Sequence, residues 1–340
     1  MNVVETDKKS AWQTALVNAI TDPKELLNLL QLDPGLLDQA RRAAALFPLK
    51  VPRSFLARMQ RNNLNDPLLR QVLPLGAELD EVAGYHADPL QETEANPIPG
   101  LLHKYHGRVL LTLVGTCGIN CRYCFRREFP YEKNNPGTQG WNKVLEYIAQ
   151  NETISEVILS GGDPLVVSDS TLRQFTDKLA AIQHVKRLRI HSRMPVVLPE
   201  RITEDLIDWL SAVRFKTVLV THCNHAQEIN SDVVTVMQKL AQAGVVLLNQ
   251  TVLLKGVNDN VETLIDLSEA LFATGIQPYY LHVLDKVKGA AHFDLDRNIA
   301  KKIHWDMTQR LSGYLVPRLV CEQPGAPAKL TLESLELCTD

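Results

Sequence analysis

Three cysteines, Cys117, Cys121 and Cys124, form a Cys-x3-Cys-x2-Cys arrangement directly after an apolar run over 109–115 that reads as a strand. A loop this short can wrap three sulfurs around one corner of a cuboidal cluster. Tetrahedral zinc would want a fourth ligand of the same kind, and none lies nearby. Three thiolates on a [4Fe–4S] cluster leave one iron without a protein ligand, free to bind a small molecule. The chain has six cysteines, three of them clustered. That pattern is not a disulfide framework, and with an oxygen-sensitive cluster it implies a reducing, cytoplasmic setting.

The elements that must position this loop are legible as a rhythm. Strand-like apolar runs recur at 109–115, 156–162, 187–193, 217–223, 245–254 and 277–284. Helical patterns separate them at 141–150, 171–182, 204–213, 233–243 and 261–274. Such βα alternation predicts a parallel sheet, open or closed into a barrel. Each predicted strand ends in polar chemistry: Cys117; Ser160-Gly-Gly-Asp163; His191-Ser-Arg193; His222 and Asn224; Asn249-Gln250; His282 and Asp285. Parallel α/β folds gather their sites at these carboxyl ends, because the loops there converge on one mouth.

The first hundred residues read as short helices, one opened by Thr21-Asp22-Pro23 and broken by Pro34 and others near 52–59 and 67–73, with no catalytic constellation and therefore a packing or lid role. Asn96-Pro-Ile-Pro-Gly100 looks like a joint. The predicted organisation is an N-terminal helical region, 1–95, followed by the α/β part, 96–340.

Composition bounds the partners. A net charge of −3 gives no general attraction to nucleic acid or anionic membrane, and no basic, aromatic-interleaved segment accompanies the cysteines. The start carries Glu5, Asp7, Lys8 and Lys9 instead of the apolar core of a secretion signal, and no run has the length of a membrane span.

A cluster with one open iron resembles that of the radical S-adenosylmethionine (SAM) enzymes, which implies an α/β fold with a partial, open TIM-like (β/α)6 barrel. In that resemblance Ser160, Gly161, Gly162 and Asp163 form the site for the methionyl amino group of SAM. Ser192, Arg193 and Gln250, with Asn249 beside it, would hold other parts of the molecule. The two glycines are expected to let the ligand approach the backbone edge.

Several longer runs narrow the resemblance: 103–111, the cysteine loop with Arg126-Arg127, 160–164, 189–199, 249–259, 278–285 and 312–317. Together they resemble the lysine 2,3-aminomutase family from about Asp88 onward. That family uses pyridoxal phosphate (PLP) beside SAM and the cluster. The resemblance gives Lys329 the task of holding PLP as a Schiff base, Arg108 that of binding its phosphate, and Tyr105 a position near it. Relatives often carry glycines before this lysine, where Ala326, Pro327 and Ala328 stand here.

For the substrate, the resemblance implies that Arg126 grips the amino acid carboxylate, and that Asp285 and Glu322 hold the far ammonium group of L-lysine. Glu322 replaces a common aspartate. Two acids facing a distal cation argue against glutamate as substrate. The segment around Asp285 and the short run of eleven residues after Lys329 resemble the subgroup that makes (R)-β-lysine for modifying elongation factor P. The implied partners are a reducing, flavodoxin-like electron donor and a lysyl ligase for that factor, with homo-oligomerisation left open. An aminomutase for another amino acid such as arginine, or a SAM-cleaving enzyme acting on RNA or protein, are the alternatives.

Overall fold

The computed structural model describes residues 10–92, 95–132, 134 and 137–332. The charged start at 5–9 and the last eight residues of the tail lie outside these.

The predicted strands form, each within three residues of its expected bounds: β2 (Arg108–Val114), β3 (Glu156–Gly161), β4 (Arg187–Ser192), β5 (Lys216–Thr221), β6 (Val246–Val252) and β7 (Gln277–His282). They pair in parallel and in sequence order, and a further parallel strand, β8 (Arg318–Cys321), follows β7. Every residue of β3 is buried, as a strand covered on both faces requires.

The crossover helices start where a side chain can satisfy a free amide. Ser168 accepts the Thr171 N–H at 3.3 Å, Thr203 that of Leu206 at 3.2 Å, Asn230 that of Val233 at 3.1 Å and Asn260 that of Thr263 at 2.9 Å. These caps open Asp169–Ala180, Glu204–Ala212, Ser231–Gln242 and Val261–Ala273. Gly137–Gln150 supplies the first crossover and Arg297–Thr308 the last. No helix among the described residues is long and apolar enough to cross a membrane.

Two edge strands were not expected. β1 (Leu101–Tyr105) folds back on β2 as an antiparallel hairpin through Gly107, at φ +76°. β9 (Leu330–Thr331) adds antiparallel to β8, with Cys321 opposite Leu330 and Val320 opposite Thr331. The nine strands therefore form an open sheet with antiparallel margins.

Residues 10–92 supply the helices Ala11–Val17, Pro23–Leu29 and Leu37–Leu46 and several shorter turns. Their apolar side chains share one continuous core with the sheet: Trp12, Leu26, Phe55 and Leu69 join Leu111, Leu159, Ile190 and Leu219. Polar ties reach the strand ends as well. Ser54 Oγ donates to the Val197 carbonyl at 2.8 Å, and Lys50 Nζ to the Cys117 carbonyl at 2.8 Å.

Candidate active site

A cavity of about 370 Å³ opens at the carboxyl ends of the parallel strands. It is lined by Cys117, Cys121, Cys124, Arg126, Ser160, Gly161, Gly162, Asp163, Ser192, Arg193 and Gln250, and also by Tyr105, Arg108, Asp285, Glu322 and Lys329. The residues named for a site from the sequence are thus brought to one chamber, with one exception. Asn249 is not in the lining. Its side chain is buried in bonds to Thr221, Cys223 and Thr251, so it braces neighbouring strands.

The three cysteines are unbonded to one another. Burial raises the Cys117 thiol, and Cys124, Asp163 and Cys121 raise it further. Burial likewise pushes the Cys124 thiol up to about 11, with Cys121 adding to it. Positive charge beside Cys117 and Cys124 would favour their thiolates, and the three sulfurs fit a cationic cluster that supplies it. Arg193 already leans in, donating from Nη1 to Cys121 Sγ at 2.8 Å. Among the described residues no three His, Cys, Asp or Glu side chains converge as ligands of a single metal ion would. The donor set suits a polynuclear cluster, which spreads its thiolates apart.

The loop is held from outside. Arg122 is fully buried, donating to the Glu78 carboxylate at 2.8 and 2.5 Å and to the carbonyls of Phe47 and Ala43 at 2.7 and 3.3 Å. Arg127 adds a third arginine bond to Glu78 at 2.7 Å and one to the Gly289 carbonyl at 3.0 Å.

The glycine pair is demanded by the packing of the chain itself. A Cβ on Gly162 would stand 2.3 Å from the Thr116 carbonyl oxygen, and one on Gly161, at φ +111°, 2.7 Å from that of Val114. The bonds Gly162 N–H to Val114 (2.7 Å) and Asp163 N–H to Thr116 (2.9 Å) draw the end of β3 against the start of the cysteine loop. Close backbone approach by itself requires glycine here. The Asp163 carboxylate is also taken up internally: it accepts from Ser192 Oγ at 2.7 Å and from the amides of Leu165, Arg193 and Met194 at 3.0, 2.8 and 3.2 Å. It joins the ends of β3 and β4. Arg193 meets Gln71 Oε1 at 2.6 Å and Glu228 Oε2 at 2.9 Å besides Cys121, so its charge has a buried partner.

Deeper in the chamber three imidazoles face inward. His191 and His282 each leave a buried Nε2 without a partner. His222 Nε2 meets the Gln250 amide nitrogen at 3.0 Å and so acts as acceptor. Burial first, then neighbouring cations, hold all three rings neutral, with His222 lowered to about 3. Unpartnered buried nitrogens are costly alone and fit a polar ligand in the chamber.

The cofactor-lysine end is a chain of alternating charges. Lys329 Nζ pairs with Glu322 and stands 5.8 Å from the centre of the Tyr280 ring. Lys104, on β1, lies 3.8 Å from Glu322 and 3.2 Å from Glu92. Glu92 in turn holds Arg126, 2.6 Å from Nε and 2.9 Å from Nη2. Burial would raise the Glu322 carboxyl, but Lys329 and then Lys104 hold it below its ordinary value. Asp285 lacks such a direct partner among the described residues. Burial, with Glu322 adding to it, pushes its carboxyl up to about 7. The Arg108 guanidinium lies over the Tyr105 ring, 4.6 Å from its centre. An amine, a stacked arginine and orphaned imidazole nitrogens are a donor set that fits PLP.

Sequence reasoning missed Glu92, Gln71 and Glu78, because the first hundred residues carry no local motif. Lys104 lay inside the run 103–111 without a role, and Glu228 lies between β5 and the helix Ser231–Gln242, in a stretch given none. Only the folded chain shows what they touch.

Comparison with known proteins agrees with this chamber. Residues 106–197 match the family described as 4Fe-4S single cluster domain. The chain is 49% identical over 331 residues to the L-lysine 2,3-aminomutase of Escherichia coli (strain K12), covering 97% of this chain and 96% of that protein. It is 48% identical to the L-lysine 2,3-aminomutase of Haemophilus influenzae, over 94% of each. Identity to the L-lysine 2,3-aminomutase of Clostridium subterminale is 36%, over 94% of this chain and 76% of that one. With matches of this identity running almost end to end, the chain belongs to the L-lysine 2,3-aminomutase family.

Proposed function

We propose that this chain is a radical SAM, PLP-dependent isomerase that converts L-lysine to (R)-β-lysine. The observation that carries the proposal is the convergence, in one chamber, of three thiols, the Arg126 guanidinium and the Lys329 amine with its two acids. When bound, the cluster and SAM would supply a hydrogen-abstracting radical, and PLP would supply an aldehyde to hold the migrating nitrogen and an aromatic ring to stabilise its shift between substrate carbons.

The chain's own residues do the rest. Cys117, Cys121 and Cys124 hold the cluster and leave one iron for SAM. The strand ends around Ser160 to Asp163, with Ser192, Arg193 and Gln250, form the walls against which SAM is oriented. Lys329 carries PLP covalently, with Arg108 on the phosphate and Tyr105 beside it. Arg126 takes the substrate carboxylate; Asp285 and Glu322 take its far ammonium group. The charge balance supports this: Arg126, Lys104 and Glu92 sum to one positive charge, while Asp285, Glu322 and Lys329 sum to one negative charge when ionised. A substrate with a carboxylate at one end and a cation at the other neutralises both. Burial excludes water and oxygen from the reacting centre.

The finer assignment, β-lysine for modification of elongation factor P, rests on the resemblance of the segment around Asp285. It brings with it a cytoplasmic location, a flavodoxin-like electron donor and a lysyl ligase that consumes the product. In this reading the described part of the predicted N-terminal region, residues 10–92, acts as a cap that braces the cysteine loop through Phe47, Lys50, Gln71 and Glu78. Anaerobic incubation with lysine, SAM and reductant, followed by chiral analysis, tests the proposal. (R)-β-lysine with SAM conserved is the expected outcome; lysine left unchanged by protein with a reducible cluster rejects it.

A further inference from the structure

The Arg126 fork has two edges on which a carboxylate can sit. One is side-on, made by Nε and Nη2; the other is end-on, made by Nη1 and Nη2. Glu92 occupies the side-on edge, at 2.6 and 2.9 Å, and both side chains are buried. On the other edge Nη1 has only long contacts, 3.3 Å to Ser160 Oγ and 3.5 Å to the Gly161 carbonyl, both on the chamber wall. Glu92 is itself fixed: its amide donates to Asp88 Oδ1 at 3.0 Å, and Lys104 lies 3.2 Å from its carboxylate.

We propose that Glu92 is a positioning residue for the substrate carboxylate. It fastens the back of Arg126, turns the end-on edge to the chamber, and leaves Lys104 as the second cation that makes the site one charge positive. This rests on the reading of Arg126 as the carboxylate partner. It adds that the arginine works only when held from behind, because an unheld guanidinium swings through several rotamers and forms its paired bonds rarely.

Electrostatics alone predicts the opposite sign, and that makes the idea testable. Glu92 is an anion close to where another anion must bind, so removing its charge should tighten substrate if attraction were all that mattered. Positioning demands that it weaken. The holoenzyme and its Glu92→Gln and Glu92→Asp variants are compared in KM and kcat for lysine, and in Ki for pentane-1,5-diamine, which is lysine without its carboxylate.

Glu92→Gln should raise KM for lysine roughly tenfold with kcat little changed and the diamine Ki unmoved, and Glu92→Asp should raise KM less. A KM that falls or stays constant in the Gln variant overturns the proposal, as does a diamine Ki that worsens by the same factor as KM. Should the Gln variant not fold, the Asp variant decides by the same two comparisons. Arg126→Lys separates the underlying reading. If it leaves the preference for lysine over the diamine intact, the assignment of Arg126 fails; if it erases that preference while the Glu92 variants behave as wild type, only the role of Glu92 fails.

Discussion

Arg122, next to the second cysteine of the loop, is sealed from solvent against Glu78, with the carboxylate 2.8 Å from its Nε and 2.5 Å from its Nη2. The same carboxylate takes Arg127. Two buried cations thus depend on one anion from the N-terminal region. Removing one member of such a group leaves charge uncompensated in the interior, which costs about 3–5 kcal/mol. Glu78→Gln should lower unfolding free energy by that order in a denaturant titration and reduce the iron retained after reconstitution. Asp306→Asn, which breaks the exposed Lys302–Asp306 pair, should change stability by less than about 1 kcal/mol.

The cysteines divide by surroundings. Cys117→Ala, Cys121→Ala and Cys124→Ala should each abolish the iron–sulfur absorbance of anaerobically reconstituted protein. Cys223 is buried outside the chamber lining, its thiol 3.4 Å from the His225 carbonyl, and Cys321 is buried at the end of β8. Cys223→Ala and Cys321→Ala should keep full iron content; loss of iron in either would mean that the ligand set is wrong.

Lys329→Ala should remove covalent PLP attachment, read as loss of cofactor after borohydride reduction and denaturation, while iron content stays at the wild-type level. The variant also strips Glu322 of its nearest cation and leaves it to Lys104. Cofactor still covalently retained would exclude Lys329 as the attachment point.

Asp285 should impose a pH dependence on substrate binding. Its carboxyl is pushed up to about 7 by burial, with Glu322 adding to it. An arriving ammonium group favours the ionised form, so below that pH binding must expel a proton. Affinity for lysine should therefore fall about tenfold for each pH unit below the transition and level off above it. Equilibrium binding across this range in wild type and Asp285→Asn measures the effect. The variant should bind weakly with a flat profile, and an identical slope in both would assign the titration to another group.

How far the sequence carried can be judged residue by residue. The six central strands were legible because each is a compact apolar run buried by its neighbours, and the helices because their apolar positions recur at helical spacing. β1 was hidden by the Pro- and Gly-bearing stretch before it, and β9 by having only two residues. Gly161 and Gly162 were rightly singled out, but the contact that demands them comes from Val114 and Thr116, many residues earlier. Likewise Asp163 looked available to a ligand, yet four donors from its surroundings already fill it. Charge partners such as Glu92 on Arg126 or Glu78 on Arg122 join segments more than thirty residues apart, and nothing local announces them.

The β8–β9 hairpin has one further consequence. Its pairing sets Val320 against Thr331 and Cys321 against Leu330, so one more step along the same ladder sets Glu322 against Lys329. Side chains in a strand alternate between faces, and a slip of one residue would turn the amine away from the chamber. The six-residue bend from Gln323 to Ala328 is thereby constrained in span, and it turns on Gly325 at φ +77°, where a side chain would be strained. Alanine and proline occupy the three positions before Lys329, and a single deletion or insertion anywhere in the bend would misdirect the amine altogether.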